Sequence, residues 1–300
     1  MKICNAYFLP KKIEEATALL KQYNGEARII AGGTDLIIDL KIKKKKVNVL
    51  VDISKVEGLN EIRFENGRFS LGAMVTHAQV SKSELVRKWA PVLAEASSAI
   101  GSPQIRNMGT LVGNVVNAMP AADGALALIV LNATGKIIDC DNKERVVPIH
   151  SLYRGVGDSR IDSTREILKE IEFFLPSSPY GSSFERLSKR KALSLPIINV
   201  AVFLRLNQEL SIFEEVRIVL GPVAPIPYRP EKAENLLRRS EITKKVIKEA
   251  ARLASEEASP RNSIRGGTLY RKEMIKILIE RGIWRSLYQI NSKFKDLSSY

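Results

Sequence analysis

Two glycine-rich polar stretches constrain this chain most: residues 29–36, IIAGGTDL, and residues 109–123, GTLVGNVVNAMPAAD. Neither mixture suits a core strand. Glycine lets backbone approach a ligand closely, Thr and Asn both donate and accept hydrogen bonds, and a lone Asp accepts them from hydroxyls. The first stretch follows a short apolar strand at 27–31, the usual scaffold for a ligand loop. Its adjacent glycines can fold a turn whose N–H groups face one anion, with Thr34 adding a hydroxyl; a plain structural turn is the alternative. In the second, Gly109 and Gly113 allow close approach, Thr110, Asn114 and Asn117 supply polar groups, and Pro120 fixes the approach to Asp123. The competing reading is a polar turn that satisfies its own backbone. The expectation is that both loops hold one ligand between them.

Other chemistries find little material. The 300 residues include two cysteines and two histidines, so a structural zinc site or an iron–sulfur cluster held by this chain alone is not expected. Cys4 and Cys140 read as small buried hydrophobes, and His77 and His150 as structural or capping residues, since neither lies in a nucleophile motif. AGGTD is not GxGxxG, and GxxxxGK[ST] is absent, which argues against a Rossmann dinucleotide site and a P-loop. No metal site and no side-chain catalyst is assigned. The net charge of +14 suggests an acidic partner, yet aromatics at 6% are thin for base stacking. The lysine run at 41–46 reads as a solvated loop or helix end, with nucleic acid or an acidic protein surface as alternatives. No signal-peptide core and no membrane-length apolar run is present, so the chain is read as soluble, intracellular and cytoplasmic.

Periodicity predicts a strand near 3–9, a helix opened by Pro10, and strands at 27–31 and 47–53. Asn66-Gly67 marks a hairpin between 62–64 and 68–71. Thr76 can cap a helix, a second helix covers 88–100 and stops at Gly101-Ser102-Pro103, and 124–131 reads as a buried helix. Strands follow at 136–140 and 167–175, and the linker Pro176-Ser177-Ser178-Pro179 marks the main boundary. Strands at 182–187, 196–206 and 215–220 suggest an antiparallel sheet, followed by helices at 231–240, 243–259 and 270–281. Residues 285–300 look like a tail.

These segments resemble, in order, the FAD-binding medium subunits of the molybdenum hydroxylases, the family of xanthine dehydrogenase, carbon monoxide dehydrogenase and aldehyde oxidoreductases. The matching pieces are AGGTDL at 31–36, LGAMVTHAQV at 71–80, TLVGNVVNAMPAAD at 110–123, EIL at 166–168, GPVAPIPYR at 221–229 and RGGTLYR at 265–271. The resemblance implies an α+β fold: a two-subdomain, non-Rossmann (PCMH-type) FAD-binding domain at 1–176, split near 54/55, then a smaller α+β domain at 177–284. It places the FAD pyrophosphate on Ile29, Ile30, Ala31, Gly32, Gly33, Thr34, Asp35 and Leu36. Thr110, Leu111, Val112, Gly113, Asn114, Asn117 and Asp123 would continue along the phosphates and ribityl chain. Ile100 and Leu168 would pack near the isoalloxazine ring, and Lys191 is the basic residue assigned to the flavin. Val112 stands where the family usually has a glycine, and Ser194 and Leu195 stand where it usually carries an Asp before a small apolar strand.

The implied function is electron relay. A large subunit would oxidise an aldehyde or similar substrate at a molybdenum–pterin centre, a small subunit would carry two [2Fe–2S] clusters, and this chain would hold FAD. The assembly would be a dimer of heterotrimers, without nucleic acid or membrane. The alternatives are a stand-alone flavin oxidoreductase of related fold and a basic module that binds nucleic acid or protein.

Overall fold

The computed structural model describes residues 3–43, 45–190 and 193–295. The chain opens with β1 (Ala6–Phe8) and α1 (Ile13–Tyr23), which buries Ala16 and Leu20 and places Glu14 and Glu15 at its positive N-terminal end. Next come β2 (Ala27–Ile30), α2 (Leu36–Lys41) and β3 (Val49–Asp52). β3 pairs in parallel with both β1 and β2, the arrangement that crossover helices permit. Of the lysine run, Lys45 pairs with Asp39 at 3.2 Å, while Lys44 lies outside the described residues.

A second sheet begins with the hairpin β4 (Ile62–Glu65) and β5 (Arg68–Gly72), turning at Asn66-Gly67. Short helices follow: α3 (His77–Lys82), α4 (Glu84–Trp89), α5 (Pro91–Ser98), α6 (Pro103–Met108), α7 (Leu111–Val116) and α8 (Asp123–Val130). The chain then returns through β6 (Thr134–Asp139) and β7 (Glu144–Pro148), the small ribbon β8 (Tyr153–Gly155) and β9 (Asp158–Ser159), and β10 (Glu166–Phe174). The antiparallel order is β4-β5-β10-β6-β7. One face is apolar, with Phe69 and Phe173 stacked 5.0 Å apart. The other is charged: Glu170 takes Arg63 at 2.6 Å and Lys136 at 2.9 Å, and Glu172 pairs with Lys136 and Arg68. Period-two alternation along β10 divides the two faces.

The last sheet is the antiparallel set β11 (Tyr180–Leu187), β12 (Ile198–Leu206) and β13 (Phe213–Gly221), followed by α9 (Glu231–Leu237), α10 (Lys244–Glu257) and α11 (Thr268–Ile290). β12 is an almost unbroken apolar run because both its faces are buried. Ala201 and Phe203 join the core of the preceding sheet and helices, whereas Val200, Val202 and Leu204 pack in the core beneath the C-terminal helices. This sheet therefore lies between two cores, and its inward face reaches the region of the glycine-rich stretches.

Three expectations change. The segment after Ser102-Pro103 is a helix, α6, with Ser102 accepting a hydrogen bond from the Ile105 N–H; proline at its first turn starts a helix as well as stopping one. Residues 285–290 are the last turns of α11, with Ser286 and Leu287 fully buried, and Phe294 beyond them is buried too. Ile283 and Leu287 continue the apolar stripe of Ile275 and Ile279, so the helix persists where a tail was expected. Cys140 is buried as expected, but Cys4 is only half-buried.

Candidate functional site

The first stretch turns tightly between β2 and α2. Gly33 has φ +67°, a left-handed conformation that glycine adopts without steric cost. At Gly32 the constraint is space: a Cβ there would sit 1.9 Å from the carbonyl oxygen of Met108, at the end of α6. The first stretch thus lies directly on the start of the second. Thr34 is close enough that a Cβ on Gly109 would meet its hydroxyl at 3.4 Å.

The second stretch is not a loop. Thr110 caps α7, its hydroxyl accepting from the Gly113 N–H at 2.9 Å, and α8 begins at Asp123. Backbone bonds to the segment before α3 pin its entry: Leu111 N–H to the Val75 carbonyl and His77 N–H to the Gly109 carbonyl, each 3.0 Å. Asn114 Oδ1 accepts from the Ala125 N–H at 3.2 Å, tying α7 to the first turn of α8. Val112 lies within α7 and needs no left-handed conformation, so valine fits without strain where the resemblance implied a glycine.

Between these elements lies a cavity of about 650 Å³, within the usual range for a cofactor site. The whole 29–36 stretch lines it, as do Thr110, Val112, Gly113, Asn114, Asn117 and Asp123. Ile100 and Leu168 contribute to an apolar wall with Ile105, Ile161 and Ile167. Leu111 does not line it; fully buried, it packs where a Cβ on Gly124 would touch its side chain at 2.9 Å. Lys191 lies outside the described residues.

The basic group that the structure does place there is Arg186, three residues into the same FERLSKRK segment. It sits opposite Asn199 in the β11–β12 ladder, on the inward face. Both reach Asp123: Asn199 Nδ2 donates to Oδ1 at 2.6 Å, and Arg186 Nε lies 3.2 Å from Oδ2. Arg186 also donates to Ser188 Oγ at 3.0 Å and to the Ser194 carbonyl, holding the segment whose residues 193–196 close one side of the cavity. Strand alternation through 180–187 could have singled out Arg186; its partner Asp123 could not be known without the tertiary fold.

Asp123 is 5% exposed. Burial lifts its carboxyl to about 6, although Arg186 and Asn199 favour the charged form. It was expected to accept hydrogen bonds from ligand hydroxyls; in this structure it lines the cavity while already serving as an interdomain ion pair. Asp123→Ala would leave Arg186 buried without its counter-charge. Urea unfolding should show a loss of about 3 kcal/mol, with FAD retention weakened at the same time, whereas an unchanged midpoint would mean that the pair contributes nothing. His77, read as structural, also lines the cavity, as does Arg28, whose charge is disfavoured by burial and partly supported by Asp162 and Asp39. Among the described residues no group of three or more His, Cys, Asp or Glu could hold a metal, and no helix is long and apolar enough to cross a membrane.

The cavity's lining combines main chain of the two glycine-bearing stretches, threonine hydroxyls and asparagine amides with branched aliphatic side chains, a composition that suits a large ligand with both polar and apolar parts. Residues 2–177 match the family model described as the FAD binding domain in molybdopterin dehydrogenase, and residues 183–285 match the CO dehydrogenase flavoprotein C-terminal domain. The chain belongs to this family. It is an FAD-binding medium subunit of the molybdenum hydroxylase type, an oxidoreductase component with the mixed α+β fold expected. It is 29% identical over 285 residues to the nicotinate dehydrogenase FAD-subunit of Eubacterium barkeri, covering 94% of each chain. It is 29% identical to the carbon monoxide dehydrogenase medium chain of Hydrogenophaga pseudoflava, over 92% of this chain and 95% of that one. A solved structure of carbon monoxide dehydrogenase from the same organism superposes with a TM-score of 0.88 at 28% identity, over 96% of this chain and 99% of that one. The medium subunit keeps the family's two-part plan. Ser194, in the segment where the resemblance implied an Asp, lends its carbonyl to Arg186, so that segment is held by main chain.

Proposed function

We propose that the chain is the electron-transfer subunit of a heteromeric molybdenum hydroxylase. It receives electrons from the [2Fe–2S] clusters of a small subunit and delivers them to an external acceptor, while a large molybdopterin subunit oxidises an aldehyde or similar substrate. Both partner cofactors would sit on those other chains, in a cytoplasmic dimer of heterotrimers. The observation that supports this best is the single cavity shared by AGGTDL, by the Thr110–Asn117 helix segment and by the inward face of β11.

FAD, when bound, supplies reversible electron storage, and the protein contributes orientation and electrostatics. The 31–35 turn lines the cavity with main chain, Gly32 letting it lie directly on the Met108 carbonyl, and a tight turn of this kind can present N–H groups to a pyrophosphate. Thr34, Thr110 and the Asn114 and Asn117 side chains offer hydroxyls and amides to the polar middle of the ligand. Ile100, Ile167 and Leu168 exclude water around its flat end. Arg28, Lys45 and Arg186 on the cavity wall are offset by Asp35, Asp123 and Glu166, so backbone and neutral polar groups rather than net charge would hold the ligand. No general acid or base is needed on this chain.

The test is direct. Purified protein reconstituted with FAD should absorb near ~450 nm, as oxidised flavins do, and release FAD on denaturation. Protein isolated from its source should carry iron and molybdenum with its partner chains. A preparation that binds no FAD sinks the proposal; turnover of substrate by this chain alone favours a stand-alone flavoenzyme instead.

A further inference from the structure

The cofactor cavity leaves the RGGTLYR stretch at 265–271 unused, and it does not account for the net positive charge of the chain. The stretch runs into the start of α11, and Arg271 organises it. That side chain is buried, yet among the described residues no carboxylate pairs with it. Its N–H groups go instead to the Ile197 carbonyl at 2.6 Å, the Gly266 carbonyl at 3.2 Å and Ser263 Oγ at 2.8 Å. Arg271 thereby fixes a tight turn in which Ser263 and Gly266 exchange backbone hydrogen bonds at 3.2 and 3.0 Å. The turn lies against the entry to β12, where a Cβ on Gly266 would meet the Ile197 side chain at 3.2 Å.

This fixed turn presents apolar groups to water. Ile264 at its tip is 93% exposed, and Leu269 just beyond is 82% exposed. Lys189 Nζ donates to the Ile264 carbonyl at 2.9 Å, tying the turn to the segment that follows β11. Further along that segment Leu193 and Leu195 are exposed while also lining the cavity. Turn and cavity wall are thus one connected surface carrying four exposed aliphatic side chains, the kind of patch that marks an interaction site.

The charge around these side chains is of one sign. Residues 188–190, 193–196 and 260–272 include Lys189, Arg190, Arg261, Arg265 and Lys272 and no Asp or Glu. Among the described residues none of these five cations pairs with a carboxylate. Burial and the nearby charges of Arg261 and Arg265 disfavour the charged form of Arg271, a sign of how closely the guanidinium groups crowd. A basic rim without counter-charge attracts an acidic protein. Small, charge-rimmed contacts suit brief electron-transfer encounters, whereas permanent interfaces are depleted of lysine.

We propose that this surface docks the electron acceptor of the flavin, and that the acceptor is an acidic one-electron redox protein. This rests on the electron-transfer reading above and names the class of acceptor that it left open. In each turnover two acceptor molecules gain one electron each, the reduced flavin is reoxidised, and its two protons pass to solvent. Leu193 and Leu195, shared by surface and cavity, put the docked protein beside the cofactor site.

The test uses the intact enzyme complex, without oxygen, and two acceptors with the same haem: cytochrome c, which is basic, and its succinylated form, which is acidic. At low ionic strength the complex should reduce the succinylated form about tenfold faster, and salt should erase the difference. Arg261→Glu combined with Arg265→Glu should remove most of that preference while leaving reduction of a neutral quinone unchanged. The chain, at +14 before substitution, stays strongly positive in this variant, so the loss reports the patch and not the overall charge. Equal rates with the two cytochromes in the wild type, or an undiminished preference in the variant, overturn the proposal. A variant that no longer assembles with its partner chains also overturns it, because the patch would then be a subunit interface. A wild-type complex that holds no FAD overturns the functional reading itself.

Discussion

Gly32→Ala should yield a protein that neither retains FAD through gel filtration nor keeps wild-type stability. The added methyl would stand 1.9 Å from the Met108 carbonyl oxygen, 2.7 Å from its carbon and 3.0 Å from the Gly109 Cα. All three are backbone atoms, so no rotamer relieves the overlap; the first stretch must withdraw from the second. Overpacking of this kind costs about 1–3 kcal/mol, and the upper end is expected where only main chain can yield. Gly33→Ala makes a useful contrast. Its φ of +67° costs about 1–2 kcal/mol for any L side chain, but its neighbours are the flexible side chains of Ile30 and Ile37 at 3.1 and 3.2 Å. FAD per polypeptide and urea midpoints should therefore rank wild type above Gly33→Ala above Gly32→Ala. A Gly32→Ala protein with full flavin and an unchanged midpoint would show that contact between the stretches is dispensable.

The second large effect is on acid stability. Buried His77 has a pKa of about 4 in the folded chain against 6.5 for a free histidine. Between those values the unfolded chain binds a proton that the folded chain refuses, so stability falls as pH drops through 6.5 and levels off below 4. The difference corresponds to about 3 kcal/mol between pH 7 and pH 4. Asp123 acts in the opposite sense. Its folded value of about 6 exceeds the ordinary 3.8, so acidification across that window favours the folded state. The wild-type profile is accordingly muted, and His77→Phe isolates the histidine. In FAD-free protein, urea unfolding at pH 7 and pH 4 should show the variant losing about 3 kcal/mol less than wild type on acidification. Equal losses in the two proteins would refute the depressed histidine.

Much of the architecture is written locally. Asn66-Gly67 between alternating residues gives the β4–β5 hairpin, Thr76 with Gln79 gives the cap of α3, and the small apolar run after Asp123 gives the buried helix α8. Each depends on contacts within a few residues, which pattern and turn chemistry encode directly. The extended end of α11 was legible in principle through Ile283 and Leu287, but the polar residues between them masked the stripe. The 109–123 stretch was legible as polar and glycine-rich yet not as a helix, because its short α7 is set by the Thr110 cap and by the Val75 and Gly109 carbonyl bonds rather than by propensity.

By itself the sequence offered the composition of the cradle: two glycine-rich stretches, each with a threonine, and, through the resemblance, an apolar pair at Ile100 and Leu168. Only the tertiary structure decided how they meet. Residues remote in the chain become neighbours through packing, so Gly32 is committed to Met108, Asp123 to Arg186 and Asn199, and His77 to the space between Gly109 and Gly124. The physical reason is that burial and exclusion are properties of the assembled interior. A carboxylate becomes an interdomain ion pair only once β11 and β12 have closed over it, and a histidine is buried only once the elements around Gly109 and Gly124 have packed against it.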